Sequence, residues 1–263
     1  YVWSDWNPEK MVRQFKEAIA RNPDGISIMG HPGEAALGRL IDEARSRGII
    51  VTTSNVDLPA SESRYKADGL GYVGQKLYES GYTLGKAVVA QCGLESGDEA
   101  LVWGLLGQEA RGKRTKGVID ALKEKGLKVE YLEISDAINK DAVQGMPVFT
   151  SFSAAHPELK LVVTDHGALT ATLGVYLRAA GKSPDEICGG GFDLSAVTAQ
   201  AIKEGAVDAV LDQQPFLQGY LPIVQLYLAK KFGFAGMNID TGAAIITADN
   251  IELVAPLAAA GIR

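Results

Sequence analysis

In this 263-residue chain, acidic, amide and guanidinium residues recur just beyond short apolar runs. Asn55 and Asp57 follow the run Ile49–Thr53, and Gln108 and Arg114 follow Ala100–Leu105. Asp165 follows Leu159–Thr164, Asp193 follows Gly190–Phe192, and Gln213 follows Val207–Leu211. A carboxylate accepts hydrogen bonds, a guanidinium donates them and a carboxamide does both. Such a set matches a polyhydroxylated ligand, whose every hydroxyl is both donor and acceptor, with an aromatic face to cover its apolar side. Taken singly, each residue reads as a solvated loop group. Their repetition at one end of successive strands is what suggests a binding site.

Other chemistries find less support. The three histidines, His31, His156 and His166, accompany no GxSxG elbow and no HExxH pair. His31 and His166 both follow strand-like runs, but loop histidines bonded to backbone are the simpler reading. Gly69-Leu70-Gly71-Tyr72-Val73-Gly74 fits GxGxxG, yet Arg64–Asp68 before it is not the hydrophobic strand a dinucleotide fold needs. Gly107–Arg114 approaches a P-loop, but Arg114 stands where a Ser or Thr would bind magnesium. The two cysteines, Cys92 and Cys188, have no CxxC spacing, so neither a zinc motif nor a redox motif is present. A disulfide between them stays open, while two separately buried small residues is the favoured reading. No cofactor and no metal is expected.

The elements that must position these residues alternate, short apolar runs with longer segments of helical period. That alternation predicts parallel sheets covered by helices. Asn7 and Pro8 open a helix whose Met11, Val12, Phe15, Ala18 and Ile19 share a face. Strands are expected at 25–29, 49–53, 100–105, 129–134, 159–164, 190–192, 207–211 and 243–247. Helices are expected at 73–91, 112–125, 168–180, 195–204 and 216–231. The unit Ile26–Met29, His31, helix is echoed by Leu161–Thr164, His166, helix, as two domains of like architecture would produce. In such sheets ligands sit outside the carboxyl ends of the strands.

A formal charge of −6 disfavours a nucleic-acid surface. No run reaches the roughly 18 apolar residues of a membrane span, and Tyr1–Asp5 does not read as a signal peptide.

The order of motifs resembles the type I periplasmic sugar-binding proteins, a group related to ribose- and galactose-binding proteins and to lactose-repressor-type effector domains. Pro23-Asp24-Gly25-Ile26 and Gly48-Ile49-Ile50-Val51 are similar to the family's third and fourth strands. Arg114-Thr115-Lys116-Gly117 resembles its R-x-x-G helix start, Gly191-Phe192-Asp193 its G-F-D strand end, and Gln213-Gln214-Pro215 its Q-x-P turn. Thr164-Asp165-His166-Gly167 departs from the family's Asn-Asp pair, which leaves the register of Asp165 open by one residue.

The resemblance implies an α/β protein of two similar Rossmann-like domains, each a parallel sheet flanked by helices, joined by a three-segment hinge. Residues 1–96 plus 214–240 would form one lobe and 97–213 plus 241–263 the other. The family's opening strand and helix would precede Tyr1, and Trp3, Trp6 and Trp103 are candidates for the aromatic stacking which that region usually supplies, although Trp103 reads better as core. A monosaccharide or polyol would bind in an interdomain cleft through Asn55, Asp57, Gln108, Arg114, Asp165, Asp193 and Gln213. The implied protein is a monomer that performs no catalysis and hands its ligand to an ABC transporter permease. It would be periplasmic, or exported and membrane-tethered. A regulator's sugar-sensing domain and a sugar-processing enzyme are the alternatives.

Overall fold

The computed structural model describes residues 1–263. In chain order its elements are α1 (Pro8–Ala20), β1 (Gly25–Met29), α2 (Glu34–Ser46), β2 (Ile50–Ser54), α3 (Pro59–Tyr65), β3 (Tyr72–Gly74) and α4 (Leu77–Gln91). There follow β4 (Glu99–Gly104), α5 (Gly112–Glu124), β5 (Lys128–Glu133), α6 (Asp136–Lys140), α7 (Met146–Ala155), β6 (Leu159–Thr164) and α8 (Gly167–Ala179). The last are β7 (Cys188–Phe192), α9 (Ala196–Lys203), β8 (Ala209–Asp212), α10 (Pro215–Phe232), β9 (Asn238–Asp240), β10 (Ala244–Ile246) and α11 (Ile251–Ala259). Two compact units result: Tyr1–Gln75 with Phe216–Thr241, and Lys76–Pro215 with Gly242–Arg263. The chain therefore passes from one to the other three times.

The first unit holds a parallel sheet in the order β1-β2-β3-β9. Asn7 caps α1 by accepting the Lys10 N–H at 2.7 Å, and Pro8 occupies the first turn, where a missing N–H costs nothing. Met11, Phe15 and Ile19 then turn inward to meet Leu37, Ile41 and Ala44 of α2 and Val51 of β2. The helix α10 is different. It buries Gln218, Pro222 and Gln225 and leaves Phe216, Tyr220, Ile223 and Tyr227 exposed.

The second unit holds six strands in the order β10-β8-β7-β6-β4-β5, all parallel but for the antiparallel β10–β8 pair. Successive residues of β4 serve opposite faces, as strand geometry requires. Leu101 and Trp103 pack with Phe149, Leu169 and Tyr176, whereas Ala100 and Val102 pack with Leu84, Val88, Val118 and Leu122. Trp103 is thus a core residue, its ring 5.6 Å from that of Tyr176.

The compact units divide after Gln75, whereas the sequence-based lobe boundary falls near residue 96. The reason is the packing of α4. A Cβ on Gly81 would lie 1.9 Å from the Arg114 carbonyl oxygen, and one on Gly117 would lie 2.1 Å from that of Tyr78. Only glycine permits backbones this close, and the approach fastens α4 to α5. A disulfide fastens its far end: Cys92, just past α4, is bonded to Cys188 at the start of β7, with Cα atoms 6.3 Å apart. This corrects the expectation of two separate thiols, because residues 96 positions apart meet only through the sheet. Residues 73–91 are likewise not one helix. Tyr72–Gly74 pairs with β2 and β9, and the helix begins at Leu77.

Candidate functional site

Each unit gathers polar side chains where its strands end. In the first unit, His31 follows β1, and Asn55 and Asp57 follow β2. Asn55 has φ 64°, a backbone state that asparagine tolerates better than most residues. Its Oδ1 lies 2.6 Å from His31 Nε2, and its Nδ2 donates to Gln218 Oε1 at 2.8 Å. Gln218 Nε2 in turn donates to Thr241 Oγ1 at 3.0 Å. The Asn55 amide nitrogen donates to Gln218 while its oxygen faces the ring, an arrangement that suits a proton on His31 Nε2. His31 thus meets a side chain, Asn55, across the loop. The ring of Trp6, a largely exposed residue, lies 5.3 Å from that of His31. Asp57, two residues beyond Asn55, is half-buried, while Trp3 is exposed.

The second unit gathers charge. Arg114, in the first turn of α5, is 2% exposed and reaches Asp165 beyond β6. Its Nε donates to Asp165 Oδ1 at 3.0 Å and its Nη2 to Oδ2 at 3.1 Å and to the Asp165 carbonyl. Thr115 Oγ1 adds a bond to Oδ1 at 2.9 Å. The Phe192 ring lies 4.4 Å from the Arg114 guanidinium carbon, a cation–π contact that backs the pair. Burial pushes the Asp165 carboxyl up, but Arg114 and Arg111 pull it below the usual carboxylate range.

Asp193, beyond β7, has φ 72° and is half-buried. One carboxylate oxygen accepts the Gly167 N–H at 2.9 Å, at the N-terminus of α8, and the other accepts from Gln213 Nε2. Each oxygen keeps a further lone pair. Gln214, next to Gln213, has φ 55°, so strand ends carry left-handed, non-glycine residues in both units. Asp212, just before them, is buried, and Arg263 lies 3.3 Å from its Oδ2.

The loop between β4 and α5 is pinned from β5. Leu106 N–H donates to the Tyr131 hydroxyl at 2.8 Å and Gly107 N–H to Glu133 at 3.2 Å. The amides of Gln108, Gly112 and Lys113 bond to carbonyls within the loop. Gly69–Gly74 runs into β3 and not into a helix, which removes the dinucleotide motif.

Of the residues expected from sequence, the structure brings Arg114, Asp165, Asp193 and Gln213 into one cluster and Asn55 into another. Gln108 lies on an exposed turn. Sequence reasoning missed Thr115, Gln218 and Thr241 as members of these networks, and Arg111 as a charge 3.5 Å from Asp165. Arg111 lay in plain view in a basic run, whereas Gln218 and Thr241 join Asn55 only through the return of the chain into the first unit. His166, which from sequence alone reads as a loop histidine bonded to backbone, is buried, and burial with the charge of Arg111 lowers its pKa to about 4.

Residues 1–233 match the periplasmic binding protein domain family. The chain is similar to the xylose/arabinose-binding protein of Sulfolobus acidocaldarius, 29% identical over 253 residues that make up 92% of this chain and 61% of that protein. It therefore spans about three-fifths of that relative's length. An ABC transporter solute-binding protein from Burkholderia graminis, solved with D-arabinose, superposes with TM-score 0.80 at 24% identity, over 93% of this chain and 82% of that one. A putative LacI transcriptional regulator from Bacteroides fragilis superposes with TM-score 0.78 at 19% identity, over 95% of this chain and 84% of that one. At these identities the two solved structures show a shared fold, a pair of mainly parallel sheets flanked by helices of periplasmic binding protein type I. With a family match extending over most of its length, the chain belongs to the periplasmic binding protein domain family.

Proposed function

We propose that the protein captures a small carbohydrate, a monosaccharide or polyol, without transforming it, and delivers it to an ABC transporter permease. The observation that carries this reading is Asp193, a half-buried carboxylate held by Gly167 and Gln213 with lone pairs still open toward hydroxyl groups. Asp193 and Gln213 would meet sugar hydroxyls in the second unit, with the Arg114–Asp165 pair and Gln108 beside them. Asn55 and Asp57 are the corresponding residues in the first unit, and Trp6 supplies an aromatic face. The xylose/arabinose-binding relative supports a pentose or a ligand of similar size.

The Cys92–Cys188 disulfide supports a working place outside the reducing cytosol. No helix is long and apolar enough to cross a membrane. A regulator's sensing domain shares the fold, but the disulfide speaks against a cytosolic role. The protein is taken to act as a monomer without nucleic acid.

A thermal-shift screen against D-xylose, D- and L-arabinose, hexoses and polyols, with nucleotides and NAD as controls, tests the reading. One sugar should raise the melting temperature and be recovered unchanged. Stabilisation by nucleotides alone, or consumption of the sugar, would overturn it. Asp193→Ala should cost about 2–5 kcal/mol of sugar binding, as for a buried charged hydrogen bond left unpaired.

A further inference from the structure

One buried cation in the second unit has no hydrogen-bonding role in the networks above. Arg111, just ahead of α5, has a side chain 13% exposed, and its Nε is buried without a hydrogen-bond partner. The carboxylate oxygen nearest Nε is Asp165 Oδ2, 3.5 Å away, and that carboxylate is already engaged by Arg114 and Thr115. Asp193, the other acid of the cluster, accepts from Gly167 and Gln213. His166 belongs to the same group of charges, and its Nε2 too is buried without a partner. Burial, and then the charge of Arg114, lower the pKa of Arg111 to about 10 despite the two nearby carboxylates. A buried polar nitrogen without a hydrogen-bond partner is costly, and two in one group of charges mark a place awaiting hydroxyl oxygens.

We propose that Arg111 is a specificity-determining residue, whose guanidinium donates to one particular oxygen of the ligand while neutral His166 meets a neighbouring hydroxyl. This rests on the reading of the protein as a binder of small sugars or polyols. Arginine only donates, whereas neutral histidine both donates and accepts. The position opposite Arg111 therefore demands an oxygen, and a deoxy analogue leaves the guanidinium unpaired, the circumstance in which binding sites discriminate most sharply.

The test uses Arg111→Met, which keeps the length of the stem and removes every donor. Dissociation constants for D-xylose, D-arabinose and L-arabinose, and for the single-deoxy analogues of whichever binds, are measured by calorimetry on wild type and variant. In wild type, one deoxy analogue should bind at least about 30-fold more weakly than its parent, the low end for a charged hydrogen bond. In R111M that ratio should fall to within a few-fold, while the ratios for the other analogues persist. The urea midpoint of ligand-free R111M should equal or exceed that of wild type, because an under-compensated buried cation has been removed. Unchanged ratios for every analogue, with a lowered midpoint, would make Arg111 structural and overturn the proposal while the sugar-binding reading stands. Failure of wild type to bind any sugar or polyol would overturn that reading itself.

Discussion

The two units solve the same problem with different chemistry. At its strand ends the first unit places a relay of uncharged amide and hydroxyl groups, Asn55 donating to Gln218 and Gln218 to Thr241, with the His31 ring against the Asn55 oxygen. The second places ions, Arg111, Arg114, Asp165 and Asp193, on a sheet with an apolar core on each face. Buried ions need strong mutual compensation and a rigid frame, since a lone charge in a dry interior is far more costly than a lone amide. The second unit has that frame, in the close α4–α5 packing and the disulfide. The comparison teaches that charge density and scaffold stiffness go together here, and it can be broken or sharpened by experiment.

The largest effect should come from Asp165→Ala. It strands two guanidinium groups at once, and urea unfolding should show a loss of about 3–5 kcal/mol, as for a broken buried ion pair. A loss under 1 kcal/mol would mean that the pair is hydrated and the contrast between the units is overstated. Next, reducing the Cys92–Cys188 bond, or replacing both cysteines by serine, should cost up to about 4 kcal/mol, given a closed loop on the order of 100 residues. Equal melting temperatures with and without reductant would show that the bond is not formed or adds nothing.

A smaller effect follows from His166. Its folded pKa, about 4, lies below the ordinary value of 6.5. The unfolded chain therefore binds the proton first, and stability that is complete above pH 6.5 is lost as the pH falls toward 4. The full loss is about 3 kcal/mol at about 1.4 kcal/mol per pH unit. Urea midpoints at pH 7 and pH 5 should diverge in wild type and less so in His166→Gln. Smallest is Asn55→Ala in the neutral relay, expected to cost about 1–2 kcal/mol for lost uncharged hydrogen bonds. If calorimetric unfolding gave Asn55→Ala the same cost as Asp165→Ala, the distinction between ionic and neutral clusters would not hold.

Much of this was legible in the sequence, for a physical reason. The run Leu159–Thr164 with Asp165 after it, or the Asn7-Pro8 start of α1, is decided by neighbours a few positions away. The helix α7 (Met146–Ala155) lacked any such signal, being apolar nearly all round and without a side-chain cap. The strand β3 was hidden because Tyr72–Gly74 is extended only by pairing with β2 and β9. At the candidate site the residue types were readable but their partners were not. Nothing in the spacing says that Arg114 closes on Asp165, or that Cys92 meets Cys188. Those pairings are made by the sheet, which brings together the ends of strands far apart in the chain.

The left-handed backbone at Asp193 constrains how this protein can change over generations. Aspartate, asparagine and glycine accept φ 72° readily, whereas β-branched residues resist it. A single substitution that preserves the loop can therefore weaken this acceptor, as Asn, or delete it, as Gly. It cannot install a bulky apolar wall there without also bending the chain. With Asp193 in the proposed ligand-binding role, variation at this corner would be channelled toward fewer or weaker hydroxyl contacts, and new selectivity would arise from residues with ordinary backbones around it.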